Sequence, residues 1–153
     1  MSHISSVTLK IRDLTALKAA VKDLGLIWAE GQRTYNWYGV SVGDSPIPEG
    51  MTKEMLGKCE HAIKLAGVNY EIGVVRLPAG HYTLGFDSWN CGTGPNGVPC
   101  DGGRIAQKLG DKLQKLVQSY AVNAATLAAR AKGWCVQKQT LPNGTVKLSM
   151  TGV

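Results

Sequence analysis

Two largely apolar runs, residues 70–77 and 81–89, read as strands, with Pro78, Ala79 and Gly80 between them. Such runs separated by turn formers predict two strands joined by a tight turn. Residues 59–65 alternate loosely between apolar and polar, and residues 66–69 turn them into the next run, so residues 59–89 are expected as a three-strand meander. Residues 6–11 alternate as a first strand, and short strands are expected at 26–29 and 35–38. Residues 45–50 read as a loop and residues 51–57 as a loop or one helical turn. Near the end, two β-rich runs, 134–140 and 145–150, flank Asn143 and Gly144, which is the clearest hairpin signal in the chain.

A period near 3.6 appears twice. Asp13 is placed to cap a helix on which Leu14, Leu17, Val21 and Leu24 share a face, and Gly25 ends it. From Arg104 to about Lys132, the residues Ile105, Leu109, Leu113, Leu116, Val117, Tyr120, Ala124 and Leu127 fall on one side of a helix. The expected architecture is α+β in a single domain, residues 1–153. A mostly antiparallel sheet carries a short N-terminal helix, 13–24, and one long C-terminal helix, 104–132, on one face.

Composition narrows the functional classes. Apolar content of 44% and charged content of 18% in 153 residues belong to a globular chain rather than a disordered one. No stretch approaches the roughly 20 apolar residues of a membrane span, and the first residues lack a signal-peptide layout. A cytoplasmic, reducing location is therefore expected, in which Cys59, Cys91, Cys100 and Cys135 form no disulfides. The net charge of +6 favours anionic partners. Arg104, Lys108, Lys112 and Lys115 would form a basic stripe over an arc of roughly 80° on the long helix; as a plain solvated surface such a stripe needs no ligand.

Several pieces resemble a family of uncharacterised proteins that includes the plastid-encoded ycf thirty-five protein, with relatives in cyanobacteria, other bacteria and phages. They are Met1-Ser2-His3, Asp23-Leu24-Gly25, Tyr70 with Ile72-Gly73, Phe86 with Trp89, Gln118 with Tyr120-Ala121, Gly133-Trp134 and Asn143-Gly144, in that order. The resemblance implies a single small α+β domain with strands before and after a long helix, and it brings no mechanism. Residues 33–57 and the loop 91–103 depart from the family's pattern.

The candidate chemistry lies at that loop. Gly92, Gly94 and Gly97 satisfy the dinucleotide-binding spacing after a strand, but Pro99, Cys100 and Asp101 separate the third glycine from the helix, where the pyrophosphate amides would have to be. A looser anion site survives: Gly102 and Gly103 precede Arg104 at a helix start, whose free amides and positive dipole end attract phosphate. In that reading Arg104 and the amides of Gly102 and Gly103 hold phosphate, Lys108 adds charge and Trp89 stacks. Asp101, as the helix's own cap, is the competing structural role.

Other chemistries have weaker signals. Cys91, Cys100, Cys59 and His61 could supply metal ligands, though at no recognised spacing, and His61 and His81 pair with no nucleophile. Trp28, Trp37 and Tyr38 are candidates for an exposed base-stacking platform, against a plain core role. The expectation is a non-enzymatic binding protein without cofactor or metal, taking a small anionic, nucleotide-like ligand; in a phage, such a protein could sequester a host signalling nucleotide. A protein–protein adaptor working through a sheet edge or residues 33–57 is the alternative, and nucleic-acid binding the third. An uncovered meander edge would favour a homo-oligomer.

Overall fold

The computed structural model describes residues 4–7, 9–39, 46–89 and 100–152. The expected meander is its centre: β3 (His61–Lys64), β4 (Ile72–Arg76) and β5 (Tyr82–Asp87) pair antiparallel in sequence order. β1 (Ile4–Ser6) adds beside β5 and β2 (Ile27–Ala29) beside β3, which gives a five-stranded antiparallel sheet in the order β1-β5-β4-β3-β2. The fold is α+β, as the periodicities indicate.

One face of the sheet carries Ile63, Ile72, Val74, Leu84 and Phe86, all buried. Helix α1 (Leu14–Asp23) covers part of it with Ala16, Leu17, Ala20 and Val21. It begins where expected: the Asp13 carboxylate accepts the Ala16 amide at 3.1 Å. Ile105, Leu109, Leu113, Leu116 and Tyr120 complete this core.

Those residues do not lie on one helix, however. The expected helix 104–132 is two: α2 (Asp101–Leu109) and α3 (Gln114–Ala131). Gly110, at φ 95°, ends α2, and Leu113, at φ 56°, sits in the left-handed region before α3 begins. That conformation costs a non-glycine residue roughly 1–2 kcal/mol. Complete burial of the Leu113 side chain offsets it, at about 1.5–3 kcal/mol. Asp111 accepts from the Gln114 amide group at 2.7 Å, and Gln114 accepts the Lys112 amide at 3.1 Å, which ties the break together. The apolar spacing therefore names the inward residues correctly while hiding the break, and the basic stripe is split with it.

Two expected strands also resolve differently. The first strand ends at Ser6 instead of running over 6–11, and Ile11 exchanges two backbone hydrogen bonds with Tyr82. Residues 35–38 form no strand; they cross the second face of the sheet instead.

That second face is covered by the segment expected as a docking surface. Its floor is Ala62, Gly73, Val75, Leu77 and Gly85, and Tyr35, Trp37, Met51, Met55 and Leu56 pack over it. Gly73 and Gly85 are direct cross-strand partners. A methyl group at Gly73 would lie 2.2 Å from the Tyr35 ring, and one at Gly85 would lie 3.0 Å from its hydroxyl. The two glycines thus form a trough in which the tyrosine lies flat.

Two buried carboxylates fix the segment on either side of that ring. Glu71 accepts the Asn36 amide at 2.9 Å and the Gln32 side-chain amide at 3.0 Å, and it pairs with Lys64 at 3.6 Å. Asp87 accepts the amides of Tyr38 and Trp89, both at 3.1 Å.

The Tyr35 hydroxyl is buried without a hydrogen-bond partner among the described residues. Burial pushes its ionisation up to about 12 from 10.0, and pushes the Cys59 thiol up to about 11 from 9.0. Both shifts favour the protonated group in the fold, so the stability they carry is present at neutral pH and is lost as pH climbs through 9 to 12. Tyr35→Phe should leave stability at pH 7 within about 1 kcal/mol of the parent or raise it, because no hydrogen bond is given up. It should also flatten the loss between pH 10 and 12, measured by urea unfolding. A larger loss at pH 7 would mean that the hydroxyl has a partner.

Candidate functional site

The helix start expected to hold an anion is α2. Cys100 precedes it as the N-cap residue with no side-chain capping bond, and Asp101 is its first residue. Gly102 and Gly103 are both buried. A methyl group at Gly102 would lie 2.1 Å from the carbonyl oxygen of Trp89 and 3.2 Å from that of Asp87. This glycine lets the first turn of the helix rest directly on the main chain leaving β5. Of the expected ligand residues, then, the structure brings Trp89 and Gly102 together as a packing contact.

The charged members are arranged differently. Arg104 donates from Nη1 to the carbonyl of Gly67, at 2.8 Å, and so ties α2 to the turn between β3 and β4. Asp101 accepts the Asn69 amide at 3.2 Å in the same region. Lys108 is exposed, one helical turn on. The Tyr70 phenol is pushed up by burial first, then by the negative charges of Asp87 and Asp101. Two carboxylates therefore act on this corner against the single guanidinium of Arg104. The preceding glycine spacing, 92–97, lies outside the described residues.

Cys100 is disulfide-bonded, contrary to the expectation of four free thiols. That expectation weighed compartment alone, whereas the fold decides which sulfurs meet. Cys59 is free and buried, with its thiol on the Gln32 carbonyl at 3.2 Å. His61 accepts the Gly31 amide on Nδ1 at 3.0 Å. Among the described residues no group of three metal-ligating side chains converges. No described helix is long and apolar enough to cross a membrane.

The aromatic candidates separate. Trp28 packs toward the helix-side core, against the His61 ring at 5.2 Å, and donates to Glu30. Trp37 packs into the opposite core, over Gly57. Tyr38 is exposed near Asp87. They form no common platform. His81 instead lines an open cavity of about 530 Å³ with Ser6, Lys10, Glu49, Leu77 and Thr83, beside β1. Its size suits a small ligand, but Lys10 and Glu49 oppose each other in sign, so no ligand charge is selected.

A different region concentrates charge. All 11 acidic residues lie at or before Asp111, together with 11 of the 17 basic ones. The first 111 residues balance, and the +6 comes wholly from Lys112, Lys115, Arg130, Lys132, Lys138 and Lys147. They lie on or beside α3 and on β6 (Cys135–Thr140) and β7 (Val146–Thr151), a two-stranded sheet of its own; Lys112 sits in the turn before α3 and Lys132 at its C-cap. The hairpin is held to α3 by Gln118, which donates to the Gly144 carbonyl at 2.9 Å, and by the Trp134 amide on Ala129 at 3.0 Å. Trp134 is 41% exposed, with the Lys132 ammonium 5.6 Å from its ring centre. Net charge and helical periodicity passed over this unit; the position of the last acidic residue would have found it.

The chain matches no protein-family model, no curated protein and no solved structure.

Gly102→Ala should lower stability by about 1–3 kcal/mol in urea unfolding, because its methyl meets main chain that cannot swing aside. Unchanged stability would show that α2 does not rest on the end of β5.

Proposed function

We propose that the protein is a non-enzymatic nucleic-acid-binding protein whose contact surface is the unit of α3 and the β6–β7 hairpin. The supporting observation is the acid-free stretch from Lys112 onward: six cations, all exposed, on or beside α3 and the hairpin. Mixed charge is the ordinary solution for a soluble surface. A stretch of one sign instead draws in a polyanion and releases its counterions on contact. Trp134, half exposed and flanked by Lys132, adds a ring that can stack on a base or lie against a sugar.

Two observations turn this reading away from a nucleotide-like ligand at Gly102, Gly103 and Arg104. The glycines there are buried and the guanidinium is engaged with the Gly67 carbonyl. The nucleotide reading nonetheless predicts a separate set of sensitive residues, so one experiment separates the two.

Affinity for a mixed-sequence nucleic acid, followed by fluorescence anisotropy, should fall with salt at a log–log slope of about −3 to −5, the range for four to six phosphate contacts. Replacing Lys115, Lys132 and Lys138 together by alanine should lower the slope by about 1 per lysine. Arg104→Glu should leave it nearly unchanged. Salt-insensitive binding, or a loss that follows Arg104 and Lys108 rather than the three lysines, would contradict the proposal.

A further inference from the structure

The hairpin has two unlike faces. Its register pairs Val136 with Met150, Lys138 with Leu148 and Thr140 with Val146, and Val136, Val146 and Leu148 on this side are half-buried. The other side is made of the pairs Cys135 with Thr151, Gln137 with Ser149 and Gln139 with Lys147. All six of these residues are exposed. Apart from Cys135, each presents an amide, hydroxyl or ammonium, and none is acidic.

We propose that this outer face is a reading ribbon that lies in the major groove of duplex DNA. The inference rests on the nucleic-acid reading above and names its substrate class. A two-stranded ribbon has strands about 4.8 Å apart, and the B-form major groove, about 12 Å wide, admits such a ribbon. Outward side chains two residues apart are about 7 Å apart along a strand, close to the rise of two base pairs. Gln137 and Gln139 carry the amide that pairs bidentately with adenine. Lys147 donates to the acceptors of guanine, and Ser149 and Thr151 serve either base. Lys132 and Lys138 lie off this face and meet the phosphates that wall the groove. RNA duplexes are poor substrates for this geometry, because their major groove is deep and narrow.

A pool of random-sequence duplex DNA, enriched for binding to the full chain, should yield a short preferred motif. The double variant Gln137→Ala, Gln139→Ala should lose about tenfold or more of the preference for that motif over unrelated duplex. It should keep the affinity for unrelated duplex and an unchanged thermal melting curve. Retained discrimination in this variant, or tighter binding to the single strand or an RNA duplex than to the DNA duplex of equal length, would overturn the ribbon while leaving nucleic-acid binding in place. Failure to bind any nucleic acid at about 50 mM salt would overturn both.

Discussion

The Tyr35 ring lying across Gly73 and Gly85 is the contact that makes the five-stranded sheet a buried layer rather than a half-exposed one. Side chains on both strands would hold the covering segment away from the sheet. Two adjacent glycines lower the floor by a Cβ on each strand, and the tyrosine fills the trough. The carboxylates of Glu71, just before β4, and Asp87, at the end of β5, then accept main-chain amides of residues 36 and 38. Buried acceptors are costly unless satisfied, so these carboxylates specify where the crossing segment goes as well as holding it.

With both faces of the sheet covered, the interior has little left to offer a large ligand. The start of α2 is consumed in a similar way. Gly102 admits the Trp89 carbonyl, and Arg104 and Asp101 bond to the turn between β3 and β4. The hairpin appended to α3, by contrast, is turned outward. A lone two-stranded sheet is marginal in water, and here Gln118 on the Gly144 carbonyl and Trp134 on the Ala129 carbonyl tie it to α3 while Val136, Val146 and Leu148 are half-buried. Its opposite side contributes nothing to that packing, so the choice of side chains there is free to serve binding.

The periodicities carried much of this. Loose alternation located β3, apolar runs around the turn at residues 78–80 located β4 and β5, and Asn143 with Gly144 located the last hairpin. The 3.6 spacing picked Ile105, Leu109, Leu113, Leu116 and Tyr120 as inward-facing, yet it could not show the break at Gly110. Those residues reach the core from two helices because Leu113 adopts a left-handed backbone, a cost that only tertiary burial offsets. Residues 35–38 alternate like a strand because Tyr35 and Trp37 face the second core, but only isolated backbone bonds, Tyr35 to the Gly57 carbonyl and Glu71 to the Asn36 carbonyl, tie them to neighbours, and no ladder forms. The trough itself was invisible: Gly73 and Gly85 are twelve residues apart in the sequence and become neighbours only through strand register. The disulfide at Cys100 depends likewise on spatial proximity. The cationic unit was legible in principle, since the distribution of acidic residues requires no structure to read.

The account stands on the C-terminal unit, and not the start of α2, being the surface that meets nucleic acid. Titrating isotope-labelled protein with a short DNA duplex and following backbone amide shifts by NMR measures this directly. The account predicts that the largest shifts fall on β6, β7 and the residues around Trp134, with the amides of residues 102–104 nearly unmoved. Shifts centred on residues 102–104, with a silent hairpin, would contradict it.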